Sequence, residues 1–101
     1  MAIYCGDLLD DLAELAAKVP AGLTLVIYHT AVLAYVEEAK RRAFAALTRS
    51  LGAIWLANEA PGVVVRDTVS SSRSRGFMLV RDGTEVLAQS DPHGSWIEWL
   101  T

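Results

Sequence analysis

The sequence predicts an α/β fold in which parallel strands with flanking helices are followed by an antiparallel C-terminal hairpin. Three observations carry that reading. Residues 23–30 form an almost unbroken β-branched and aliphatic run ending on His29 and Thr30, the pattern of a strand buried on both faces in the middle of a parallel sheet. Residues 37–51 read as a helix leading to a second apolar strand, residues 53–57, which makes a strand, helix, strand unit. Finally, Asp82-Gly83, the dipeptide that most favours a tight hairpin turn, separates two strand-like runs, residues 77–81 and 84–89.

In chain order, residues 2–7 (Ala-Ile-Tyr-Cys-Gly-Asp) read as a short opening strand. Leu8, Leu9, Leu12, Leu15, Ala16 and Val19 then fall on one helical stripe over residues 8–19. Asp7 suits the N-cap, Asp10 and Asp11 the positive end of the helix dipole, and Lys18 the negative end. Pro20-Ala21-Gly22 closes that helix and feeds the central strand. Residues 31–36 are a short apolar link with the character of a helical turn. The helix after it sets Phe44, Leu47 and Leu51 on one side and Lys40, Arg41, Arg42 and Arg49 on the other. Glu37 precedes Arg41, and Glu38 precedes Arg42, at i,i+4 spacing, each pair worth about 0.2–0.5 kcal/mol. Gly52 has the place of a C′ residue.

Residues 60–76 form a loop with a short edge strand expected at residues 63–65 and a polar, flexible Ser/Arg stretch at 70–76. Asp91-Pro92-His93-Gly94 carries the residues of a type I turn in their preferred places. Residues 95–100 are then a last strand with Trp96 and Trp99 as large anchors. The expected organisation is one domain: a βαβαβ half over residues 1–59, a loop over 60–76 and an antiparallel meander over 77–101.

Composition limits the functions open to this chain. Its 101 residues support one core, and 52% hydrophobic residues with a mean hydropathy of +0.29 leave apolar surface to be covered by a partner. A net charge of −3 disfavours nucleic-acid binding by a general basic field. Cys5 is the lone cysteine, read as a core thiol, so an internal disulfide is excluded and a reducing, cytoplasmic setting is expected. Glu37, Glu38 and Lys40 interrupt the longest apolar run before it reaches membrane-spanning length. There is no Gly-x-Ser-x-Gly elbow, phosphate-binding Gly-Lys-Ser/Thr loop, dinucleotide fingerprint or zinc-type cysteine pair, and the histidines lack metal-ligand spacing.

In open α/β sheets ligands collect outside the carboxyl ends of the strands. That places His29 and Thr30 beside Asn58 and Glu59, at the ends of neighbouring parallel strands. His29 and Glu59 are the candidate catalytic pair, since histidine is the side chain that titrates near neutrality unperturbed. The competing reading gives His29 a hydrogen bond at a strand end and leaves Asn58 and Glu59 in loop contacts.

The runs at residues 6–12, 29–35, 55–62 and 91–94 resemble those of an uncharacterised bacterial family, domain of unknown function 2332, over nearly the whole chain. Members of that family are several times longer, and the resemblance is to their last third. The order of segments also resembles the carboxyl-terminal part of the Rossmann-like S-adenosylmethionine-dependent methyltransferase fold. That resemblance implies a truncated sheet in which Gly6 and Asp7 lie by the adenine of the cofactor, with Thr30 and Asn58 as further cofactor-binding positions and His29 facing the methyl group. It also implies that the first strand and glycine-rich turn lie outside this sequence, so no cofactor is expected on this chain alone. Two arrangements follow for the exposed sheet edge: a homodimer through the 23–30 strand, or a rearranged sheet in which the 2–7 and 23–30 strands pair. A missing N-terminal part is the other candidate partner. The implied function is a methyltransferase-like domain, non-catalytic alone; the alternative is a small methyltransferase whose site, around Asp7, His29, Asn58 and Glu59, is rebuilt by dimerisation.

Overall fold

The computed structural model describes residues 2–64 and 76–100. Its elements are α1 (Leu12–Ala16), β1 (Val26–Thr30), a 3-10 turn (Leu33–Tyr35), α2 (Glu38–Ser50), β2 (Ile54–Glu59), β3 (Phe77–Arg81), β4 (Glu85–Ser90) and β5 (Ile97–Trp99). The five strands make one mixed sheet in the order β1-β2-β3-β4-β5. β1 and β2 are parallel, with Val26 opposite Ile54 and Thr30 opposite Asn58, and every later pair is antiparallel.

The strand, helix, strand unit forms because α2 has one apolar stripe and a defined stop. Phe44 and Thr48 are buried on that stripe, and the Thr48 hydroxyl donates to the Ala45 carbonyl, so its polar atom is satisfied inside the helix. Gly52 ends the helix at φ +65°, with its N–H on the Arg49 carbonyl and the Ala53 N–H on the Thr48 carbonyl, a Schellman arrangement. Arg42 pairs with Glu38 at 2.7 Å as the spacing predicts. Arg41 instead donates to the carbonyls of Val36 and Ala34, tying α2 to the preceding turn. The core under α2 consists of Leu33, Phe44, Trp55 and Ala57, with Leu8, Leu9 and Leu12 packed against it. Both helices therefore lie on the same face of the sheet.

The β3–β4 hairpin turns where Asp82-Gly83 predicts. Both residues have positive φ, 51° and 79°, and the Thr84 N–H closes the turn on the Arg81 carbonyl. Gly83 is needed twice over, since a Cβ there would sit 3.1 Å from the Trp55 ring. Asp82 then fastens the turn to β2: its carboxylate accepts the Trp55 N–H and its own N–H donates to the Trp55 carbonyl. The Asp91–Gly94 turn is closed by the Gly94 N–H on the Asp91 carbonyl.

Several expectations are corrected. Residues 2–7 are exposed and outside the sheet, so the βαβαβ half contains two strands, the rearranged pairing with residues 23–30 does not form, and Cys5 is an exposed thiol. A strand needs a neighbour to satisfy its backbone, and this segment has none among the described residues. β1 is an edge strand with alternating burial, not a central one buried on both faces, because no described helix covers the face opposite α2. The 8–19 helix shrinks to α1 flanked by turns, and its N-cap is Asp11, without a side-chain cap bond; Asp7 instead braces the turn before it, its Oδ1 accepting the N–H groups of Leu9 and Asp10. Val63 and Val64 are not in a strand; Val65 and the Ser/Arg stretch up to residue 75 lie outside the described residues. β5 is short and Trp99 is 60% exposed, so it does not anchor the core, whereas Trp96 is half-buried.

Phe44 has no exposed surface and meets the rings of both His29 and Trp55 edge-on. Phe44→Ala is expected to cost about 3–5 kcal/mol in urea unfolding, a large share of the roughly 5–15 kcal/mol that holds a domain together.

Candidate functional site

The site is built where β1 and β2 end. Alternation along a strand sends neighbouring residues to opposite faces, so Ile27 and His29 point to the α2 side together with Trp55, Ala57 and Glu59. Tyr28 and Thr30, with Asn58, point to the other. The predicted neighbours do meet, but in two separate sets.

On the α2 side the His29 Nδ1 lies 2.7 Å from Glu59 Oε2, and the Trp55 indole N–H donates to His29 Nε2 at 2.9 Å. Indole nitrogen is a donor only, so Nε2 must hold its lone pair toward it and the ring proton sits on Nδ1, donating to Glu59. The same Glu59 oxygen accepts the N–H groups of Val32 at 2.9 Å and Leu33 at 3.2 Å, the free donors that open the 3-10 turn. Ala31 bends the chain into this position at φ 55°, a left-handed conformation that costs an alanine about 1–2 kcal/mol. Glu59 is 1% exposed, and its Oε1 has no hydrogen-bond partner among the described residues.

This arrangement holds atoms in place better than it moves protons. A general base needs an open lone pair within reach of substrate, and both His29 nitrogens are occupied. Glu59 is likewise committed through Oε2 to three donors. A group of three metal-ligating side chains is absent among the described residues, and no described helix is long and apolar enough to cross a membrane.

Gly6, Asp7 and His29 line a cleft of about 400 Å³ between the α1 segment and β1, floored by Ile27 and Phe44. Asp7 does not offer its carboxylate there freely. The Asp10 and Leu9 N–H groups hold its pKa below the ordinary carboxylate range, and the Asp11 side chain accepts the Asp7 N–H. Thr30 and Asn58 lie on the opposite face, where Asn58 Nδ2 donates to Thr30 Oγ1 at 3.1 Å and Ser90 Oγ donates to Asn58 Oδ1 at 3.0 Å. A single site using Asp7, His29, Asn58 and Glu59 is therefore divided by the sheet itself. Sequence reading missed Trp55 and Ser90. The signal for Trp55 was its period-two spacing from Glu59; Ser90 is set beside Asn58 by the pairing of three strands, with no local signal.

Together the fold and the site define a small mixed α/β domain with a braced histidine–carboxylate pair at the ends of its parallel strands. The chain belongs to the family described as "Uncharacterized protein conserved in bacteria (DUF2332)", whose model matches residues 2–99. No curated protein and no solved structure matches it.

Trp55→Phe keeps a ring against Phe44 but removes the donor to His29. It is expected to cost about 1–2 kcal/mol and to replace the fixed Nδ1–H tautomer by a mixture in long-range nitrogen–proton spectra. For Asp7 the sign follows from an acidity stronger in the folded state than in the unfolded chain. The advantage of the native protein over Asp7→Ala is then fully present above the unfolded aspartate value of about 3.9, and shrinks as pH falls through the lower folded value. Unfolding curves of both proteins across that range measure it.

Proposed function

We propose that this chain is a methyltransferase-like α/β domain, non-catalytic on its own, whose role is structural and is completed by a further strand at the free edge of β1. The observation that carries the reading is that the candidate site groups are already engaged: His29 by Trp55 and Glu59, Glu59 by the 3-10 turn, and Asp7 by the Leu9 and Asp10 amides of the turn before α1. The likeness to a methyltransferase rests on a parallel pair followed by antiparallel strands, with polar side chains at the carboxyl ends of that pair.

The edge supports the partner. β1 reads Val-Ile-Tyr-His-Thr, without the lysine, proline or acidic residue that usually guards an exposed edge, and Val26 is 49% exposed on it. β5, the opposite edge, is only three residues long and carries Glu98. The added strand comes from a second copy of the chain or from an N-terminal part of a longer polypeptide.

Calorimetric titration of S-adenosylhomocysteine into the purified chain tests the reading, and no saturable binding that depends on Asp7 is expected. Saturable binding that weakens in Asp7→Ala would overturn it in favour of a small methyltransferase with a site rebuilt by dimerisation. For the partner, sedimentation velocity is expected to show a dimer that Val26→Lys dissociates. A monodisperse monomer at high concentration would remove the second copy as the source of the strand.

A further inference from the structure

The face of the sheet opposite α2 has a second concavity, of about 580 Å³, between the ends of β1, β2 and β4 and the turn that follows β4. Its floor is apolar and partly aromatic: Tyr28 is 59% exposed, Ile97 is 51% exposed, and Leu79 lies between them on the same face. Along one side runs the chain Ser90–Asn58–Thr30. Its direction is fixed, since Ser90 Oγ donates to Asn58 Oδ1 and Asn58 Nδ2 donates to Thr30 Oγ1. The Ser90 oxygen therefore keeps acceptor capacity, and the Thr30 hydroxyl, used here as an acceptor, keeps its own proton to donate. Next to Ser90 stands Asp91, whose Oδ2 accepts the His93 and Ser95 N–H groups. The Ser95 backbone bond, then its side chain, then His93 keep this carboxyl below the ordinary carboxylate range, so it is an anion near neutrality.

These features select a ligand class by exclusion and by fit. Among the described residues the lining holds no lysine or arginine and one fixed carboxylate, which disfavours phosphates and other anions. A wholly apolar ligand would strip water from Ser90, Asn58, Thr30 and Asp91 without replacing their hydrogen bonds. Vicinal hydroxyl groups both donate and accept, matching the outward ends of the chain and the carboxylate, while the C–H face of a ring stacks on Tyr28. We propose that this concavity binds a neutral hydroxylated ring, a sugar, as a free saccharide or as the ribose of a nucleoside. The site is on the face away from His29, Glu59 and Asp7, so it stands whether or not the structural reading of those residues holds.

Nitrogen–proton correlation spectra of the whole chain, titrated separately with maltose, adenosine and inorganic phosphate to about 10 mM, test the proposal at the weak affinities expected of so open a site. Maltose or adenosine is expected to move the amides of Tyr28, Asn58 and Ser90 saturably, and the sugar that does so identifies the source. Tyr28→Ala and Asn58→Ala, each checked for native dispersion, are expected to weaken the binding about tenfold or more. The proposal is overturned if neither sugar shifts these amides, if both variants bind as the native chain does, or if phosphate binds there instead. Adenosine binding that fails in Asp7→Ala but survives in Asn58→Ala would place the ligand in the α1 cleft, which Tyr28 also lines, and also overturns it.

Discussion

On the α2 side, the carboxyl end of the parallel pair depends on one buried oxygen. Glu59 Oε2 collects the His29 ring proton and the Val32 and Leu33 amides, so the end of β2, the end of β1 and the start of the 3-10 turn converge on one acceptor. Hydrogen bonds to a charged group contribute about 1.5–3 kcal/mol each when well made, and a buried carboxylate without them would be strongly destabilising. The set must therefore form together. Trp55 and Phe44 close it from the core, with ring centroids 5.6–6.0 Å apart around His29. The bent Ala31 is the local strain this convergence maintains.

That convergence also explains why a histidine and a glutamate in a crevice need not be an active pair. Reactive histidines keep one nitrogen for orientation and one for chemistry. Here the second nitrogen is turned to an indole N–H that cannot give way without leaving a buried donor unpaired, a loss of about 1–3 kcal/mol. The distance from His29 to Glu59 would fit either role. The third partner, Trp55, is the observation that favours the structural role proposed for them.

How far the sequence could be read follows from which features are local. α2, its Gly52 stop and the Asp82-Gly83 turn are specified by residues within one turn of each other, and each forms where its pattern predicts. The meeting of His29 with Glu59 and of Thr30 with Asn58 was legible too, because parallel register and period-two alternation suffice. Their division between two faces follows from the same alternation, yet the expected single site joined them across the sheet. What could not be read was non-local. An apolar segment such as residues 2–7 is a strand only if a neighbour accepts its backbone, and Ala31 gives no hint of positive φ in the way glycine or asparagine would. The engagement of His29 by Trp55 depends on how two side chains from adjacent strands tilt toward each other.

The apolar surplus in the composition has a definite location. One sheet face is covered by Phe44, Leu33, Leu8, Leu9 and Leu12. The other presents Val26, Tyr28, Ile97 and Trp99 exposed, with Leu56 and Leu79 half-covered between them. A strand whose residues are apolar on both faces looks central in sequence, because periodicity records what each face is made of and not what covers it. β1 is such a strand, placed by this fold at an edge. Its hydrophobicity therefore describes an environment wider than the one the described residues supply, and the proposed added strand would meet β1 along its backbone edge.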